Sequence, residues 1–263
     1  MRVVLLGCGY TGKVLIRKLQ AQGHEVVATS RDPQSAAQFT KCGVEAHVWT
    51  APEPLPCRAD AAIILYPPRG IDPVESAAVC AAVPRVVYCS STSVYGPRSG
   101  GWVDDYTPVA PTSPWATARV LAEREFLERG GVVVRAAGIY GAQRNIIHRL
   151  RSGRLRLSGD MTRPVNLIHV DDLADILWAA IQRGRESNVY LAASGNPVPW
   201  LSLASAASAL SGLPLPAPTP MPNDPNLRMF YAETKRCEPR RLGELNVRLA
   251  HPHAINALYD MSC

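Results

Sequence analysis

No pair of cysteines in this chain stands at C-x-x-C spacing. The seven that occur, Cys8, Cys42, Cys57, Cys80, Cys89, Cys237 and Cys263, are scattered and odd in number. A disulfide framework and a cysteine zinc site are both excluded; the thiols read as free, in a reducing compartment, and no metal is expected. Nor is there an apolar run of about 18 residues, so no membrane span is expected. The opening "MRVVLLGCGYTG" starts like a leader, but glycines interrupt it, and a buried first strand of a cytoplasmic protein is the better reading. The net charge is +6, yet no block of 5 consecutive Lys/Arg residues occurs. Basic residues dispersed in this way argue against a nucleic-acid partner.

Short apolar runs alternate with helix-like stretches across the 263 residues, which points to a parallel sheet with crossover helices. Strands are expected at 2–6, 24–30, 44–49, 59–66, 85–91, 131–141 and 187–193. Helices are expected at 11–23, from Asp32-Pro33 to about 40, from Ser113-Pro114 to about 129, at 170–184 and at 201–211. In both X-Pro starts the first residue is a good N-cap and proline suits the first helical position. The expected fold is α/β, a doubly wound parallel sheet of about seven strands with a small C-terminal substrate lobe. Residues 1–143 and 166–194 would form the dinucleotide-binding domain, and 144–165 with 195–263 the lobe.

"GCGYTG", Gly7 to Gly12, follows the first strand and opens the first helix. This is the context in which G-x-G-x-x-G binds a dinucleotide. Gly7 makes the tight turn, Gly9 lets backbone approach the pyrophosphate, and Gly12 lets helix and strand pack closely. Tyr10 and Thr11 complete the loop, and the helix N-terminus favours the phosphates. The second strand ends in Thr29-Ser30-Arg31, where an NAD site usually carries an acidic residue. Ser30 and Arg31 suit a 2′-phosphate, so NADP is preferred over NAD. Asp32 competes for this role but reads as a helix cap.

"SSTSVYG" (90–96), "RAAGIYG" (135–141) and "NLIHVDDLADIL" (166–177), in that order behind the glycine loop, resemble the extended short-chain dehydrogenases/reductases. That superfamily includes the NAD-dependent epimerases and dehydratases of nucleotide sugars. The resemblance implies a catalytic Ser, a Tyr acid/base and a Lys four residues later. Ser91 falls on the serine. At the start of the helix after Ser113-Pro114, however, Trp115 stands in the tyrosine's place and Arg119 in the lysine's. An indole carries no usable acid–base equilibrium, whereas Arg119 can still bond a ribose. Replacement proton donors are Tyr95 and Tyr140, ahead of His148 and His169. The one literal Y-x-x-x-K, Tyr231 to Lys235, reads as chance. Ser90 is a further expected cofactor contact, and Tyr66 and Pro67 would wall the cofactor channel.

The segment 144–163 carries Arg144, Arg149, Arg151, Arg154, Arg156 and Arg163, which suggests a small anionic substrate. The expected function is an atypical NAD(P)-binding oxidoreductase, epimerase or dehydratase with a non-standard proton donor. The alternative is a cofactor-binding sensor, a partner-binding module or a non-redox enzyme. The resemblance also implies a homodimer through the 113–130 helix.

Overall fold

The computed structural model of the chain describes residues 1–68, 72–224, 228, 231, 232 and 234–261, with backbone alone at 72 and 73. Its centre is a seven-stranded parallel sheet of β1 (Arg2–Leu6), β2 (Glu25–Ser30), β3 (Glu45–Val48), β4 (Ala61–Ile64), β5 (Arg85–Ser91), β7 (Val132–Ala136) and β11 (Val189–Ala192). The spatial order is β11-β7-β5-β4-β1-β2-β3. The direction of winding reverses between β1 and β4, and the crevice beyond the carboxyl ends of such a pair is where ligands bind in doubly wound sheets.

Both faces of the sheet are covered, which explains why the central strands β1 and β4 are apolar runs rather than alternating. On one face, Val3 and Leu5 pack with Leu15 and Leu19 of α1 (Tyr10–Ala21) and Leu173 and Ile176 of α6 (Val170–Arg183). On the other, Val4, Leu6, Ile64 and Tyr88 pack with Ala77 of α3 (Asp72–Val79) and Phe126 of α4 (Pro114–Glu128). Tyr88 and Phe126 stack with centroids 4.8 Å apart. Caps fix the helix starts. Asp32 accepts the Gln34 and Ser35 N–H groups at the head of α2 (Pro33–Lys41), and Ser113 accepts that of Ala116 at the head of α4.

One expected strand is divided. The run 131–141 leaves the sheet after Ala136. The Ala137 N–H still bonds Ala192, but that of Gly138 bonds Asn166. Gly138–Tyr140 is thus β8, paired in parallel with β10 (Leu167–His169). The change of partner lifts the chain off the sheet and forms one wall of a cavity.

Beyond this point lies a second apolar cluster. It joins Ile146, Ile147 and Leu150 of α5 (Ile146–Arg151), Leu203 of α7 (Trp200–Ser211) and Leu258 of α8 (Ala254–Asp260). Short strand pairs complete the structure: β6 (Trp102–Val103) with β13 (Arg236–Cys237), and β9 (Pro164–Val165) with β12 (Val198–Pro199). Among the described residues, Cys8, Cys42, Cys57, Cys80, Cys89 and Cys237 form no disulfide; Cys263 lies outside the described residues. Among the described residues, no helix is long and apolar enough to cross a membrane.

Candidate functional site

At the reversal point Gly7 adopts φ +82°, and a Cβ there would come within 2.7 Å of the Tyr66 side chain. Only glycine meets both conditions. Its N–H is held by the Thr29 hydroxyl at 3.2 Å, and the Cys8 N–H by the Thr29 carbonyl at 2.8 Å. The loop is thereby stitched to the end of β2. Gly9, by contrast, has open space where a Cβ would stand. A glycine with nothing beside it, heading a helix whose first N–H groups need acceptors, fits a pyrophosphate approaching the backbone.

Beside this loop is a cavity of about 330 Å³ lined by Gly7, Gly9, Ser30, Arg31, Trp49 and Tyr66, among others. Arg31 is exposed at its edge. Asp32 is occupied otherwise: hydrogen bonds from Ser35 and Gln34 hold its carboxyl below the usual range. Ser30 Oγ accepts the Asp32 N–H at 3.1 Å. Trp49, which sequence reasoning passed over, is fixed as a wall because its indole N–H donates to the Glu53 and Pro54 carbonyls. A tryptophan just after the third strand was the available signal. Thr11 and Gly12 are buried in the first turn of α1, while Pro67 is exposed; none of the three lines this cavity or the larger one described below. Tyr10 also lies outside both cavities, with Arg144 above its ring at 5.9 Å. Of the stretch "LYPPRG", Arg69 and Gly70 lie outside the described residues.

A larger cavity of about 860 Å³ opens at the carboxyl edge of β5. Ser91, Trp115 and Arg119 all line it, as do Tyr140 and His148. Ser91 Oγ accepts the Ser93 N–H at 3.2 Å, which turns the chain sharply after β5. Arg119 is half-buried, and its charge reaches the thiol of Cys89, which burial nevertheless pushes up to about 11. Trp115 is 55% exposed, so its ring stands at the cavity's mouth rather than in the core.

The cations are concentrated here. Arg119, Arg144, Arg149, Arg154, Arg163 and Lys235 line the cavity, and no carboxylate does among the described residues, which leave out Glu233. Arg163 is buried, with Trp200 and Tyr231 facing its guanidinium at 5.1 and 5.2 Å. Lys235, set aside in the sequence as part of a chance motif, is brought in by Asn166. The Asn166 amide donates to the Lys235 carbonyl and accepts the Cys237 N–H, both at 2.8 Å. Tyr231, its motif partner, does not line the cavity. Arg151 and Arg156 also lie outside it.

Three expected site residues are placed elsewhere. Tyr95 is fully buried, and its hydroxyl donates to the Asp104 carbonyl at 2.7 Å; burial pushes its phenol up to about 12. Ser90 turns into the core, where its hydroxyl donates to Glu123 at 2.6 Å. Glu123 in turn pairs with buried Arg135 at 2.8 Å. Successive strand residues face opposite sides, so Ser90 and Ser91 cannot both reach the cavity. His169 is buried, caps α6 by accepting the Asp171 N–H, and lines neither cavity. Of the expected donors, Tyr140 and His148 remain at the cavity; His148 Nε2 lies 3.0 Å from the Ala142 carbonyl. Tyr140, by contrast, is buried, its hydroxyl has no hydrogen-bond partner among the described residues, and burial raises its pKa.

Comparisons with known proteins agree with this geometry. The model of the NAD dependent epimerase/dehydratase family matches residues 72–193, and that described as NADP oxidoreductase coenzyme F420-dependent matches 2–90. A solved structure of a functionally unknown conserved protein from Silicibacter pomeroyi is 34% identical, with a TM-score of 0.89 over 99% of this chain and 97% of that one. Protein YeeZ of Escherichia coli K12 is 28% identical over 216 residues, 72% of this chain and 76% of the relative. The dTDP-glucose 4,6-dehydratase of Bacillus anthracis, solved in complex with NAD, has the same fold at 13% identity, with a TM-score of 0.83 and 99% and 96% of the two chains covered.

Proposed function

This chain belongs to the NAD dependent epimerase/dehydratase family, and from that premise we propose that it is an NAD(P)-binding enzyme acting on a small anionic substrate. The cofactor would lie along the Gly7–Gly12 loop with its adenosine end between Trp49 and Arg31. NADP is favoured over NAD: Arg31 and Asp32 both line the small cavity, but the Asp32 carboxylate is engaged in its helix cap, whereas the Arg31 guanidinium suits a 2′-phosphate. A bound nicotinamide would supply hydride chemistry. The protein's part is to hold it, with Arg119 at the ribose, and to present the substrate.

The single observation that carries this reading is the composition of the large cavity. Among the described residues, six cationic side chains and no carboxylate line it, beside Ser91. A phosphorylated or carboxylated substrate would neutralise that field through charge-assisted hydrogen bonds. Ser91 would orient the substrate oxygen. Tyr140 would serve as the proton donor, since it lines the same cavity and its hydroxyl has no hydrogen-bond partner among the described residues. Residues 144–165 and 195–263, which contribute to the second apolar cluster, would act as the substrate lobe.

One observation favours a second reading. Trp115 stands at the cavity mouth; the resemblance would put the family tyrosine at this position, and an indole cannot cycle a proton. A cofactor-binding protein without hydride-transfer turnover would tolerate that replacement. Incubating the protein with NADPH and a panel of phosphorylated and carboxylated carbonyl compounds separates the two. Substrate-dependent NADPH oxidation supports the enzyme; cofactor binding without turnover across the panel supports the second reading.

A further inference from the structure

A cluster distinct from both cavities lies at the head of α6. His169, Asp171 and His251 each present one donor atom, and the three atoms lie within 4.8 Å of one another. The two imidazole rings approach to 3.9 Å between centroids, and His169 Nδ1 is 3.4 Å from Asp171 Oδ2. None of the three lines either cavity. We propose that this cluster is a divalent transition-metal site of two imidazoles and one carboxylate, which ties the C-terminal segment before α8 to the start of α6.

The donor set selects the class of ion. Two nitrogens and one oxygen suit zinc, cobalt, nickel, copper or ferrous iron, and not magnesium or calcium, which take oxygen ligands. Bonds of about 2.0–2.2 Å to each donor bring ligands to within roughly 3.5 Å of one another. An ion would draw the donors together by side-chain rotation, and binding at His169 Nδ1 would replace the Asp171 N–H that this nitrogen accepts at 3.3 Å. Positions left open by three protein ligands would be filled by water.

The surroundings hold the donors in place. His251 sits on a loop, and loops do not position ligands unaided. Here the buried Asp172 carboxylate accepts the Ala250 N–H at 2.7 Å and the His251 N–H at 3.0 Å. That clamp fixes the backbone from which the His251 ring reaches His169. The His169 ring is fixed by Tyr140, packed edge-on at 5.1 Å. Asp171 lies in the first turn of α6 with its side chain 41% exposed, which leaves the ion a path from solvent. Supporting interactions of this kind orient metal ligands and strengthen binding.

The test uses the full chain, free of any tag and without nucleotide or substrate, so its outcome is independent of the proposed enzymatic role. Titration with CoCl2 should show one saturable equivalent with a visible ligand-field spectrum. ZnCl2 should raise the melting temperature and MgCl2 should not. His251→Ala and the milder, exposed-position Asp171→Asn should each weaken Co2+ binding at least tenfold while leaving the circular dichroism of the apoprotein unchanged. A competing pair exists where the Met1 amine meets His24 at 3.4 Å, and His24→Ala should leave the binding intact. Absence of saturable Co2+ binding overturns the proposal. So does binding unaffected by both site variants, or a strong thiolate-to-cobalt band showing that cysteines hold the ion.

Discussion

Trp115 stands one helical turn before Arg119 on α4, and both side chains reach the cavity that Ser91 borders. Residues at i and i+4 share a helix face, so a substitution at either changes the same wall. Trp115→Tyr with Arg119→Lys places the family pair on that wall. The double variant should fold, since Trp115 is exposed and Arg119 half-buried. It should not turn over UDP-glucose or dTDP-glucose at a useful rate, because the two substitutions leave the rest of the cavity lining unchanged. Robust activity of the double variant on either sugar nucleotide would show that the pocket itself is that of an ordinary family member.

Tyr140→Phe removes the one buried hydroxyl of the large cavity that we assign to proton donation. On a substrate found by NADPH oxidation, turnover should fall about 10²–10⁴-fold, the usual cost of losing a positioned general acid. Cofactor affinity should be unchanged. Tyr95→Phe, which removes the bond to the Asp104 carbonyl, should instead act on stability and leave the chemistry in place. The reverse pattern would transfer the role to Tyr95.

Gly9→Val introduces a branched side chain into the open space beside the loop. A Cβ there meets nothing within 4 Å among the described residues, so the variant should melt close to the parent. Dinucleotide binding should be lost. A folded variant with unchanged affinity would place the nucleotide elsewhere.

Glu123→Gln leaves Arg135 buried without its counter-charge. Removing one member of a buried pair costs about 3–5 kcal/mol. The Ser90 hydroxyl loses its charged acceptor in the same step. Chemical denaturation should show this loss. A change under about 1 kcal/mol, within the range of exposed pairs, would mean that the network contributes little.

Much of the fold is legible because its signals are local. A strand, a glycine turn and a helix follow one another within Arg2–Ala21, and Asp32-Pro33 and Ser113-Pro114 cap the helices they announce. The expected seven strands all occur in the sheet. What was hidden depends on distant partners. The break after Ala136 exists because Asn166 captures the Gly138 N–H, and α5 is only one and a half turns long, too short for a periodic pattern. Lys235 reaches the cavity through Asn166, and His251 reaches His169 through Asp172; neither link leaves a trace in spacing. Placement at a cavity was legible at strand ends, as with Ser91, the last residue of β5, and Arg31, just after β2. It was misleading at Ser90 and Tyr95, whose hydroxyls turn to core partners that only the packed structure supplies.

The most direct test is an equilibrium titration of the purified protein with NADPH and NADH, repeated on Arg31→Ala. Both nucleotides should bind, NADPH more tightly, and the substitution should weaken NADPH at least tenfold while leaving NADH nearly unchanged, since only the former carries the 2′-phosphate. Equal weakening of both would remove the basis for NADP preference. Failure of the unmodified protein to bind either nucleotide would contradict the proposed function at its root.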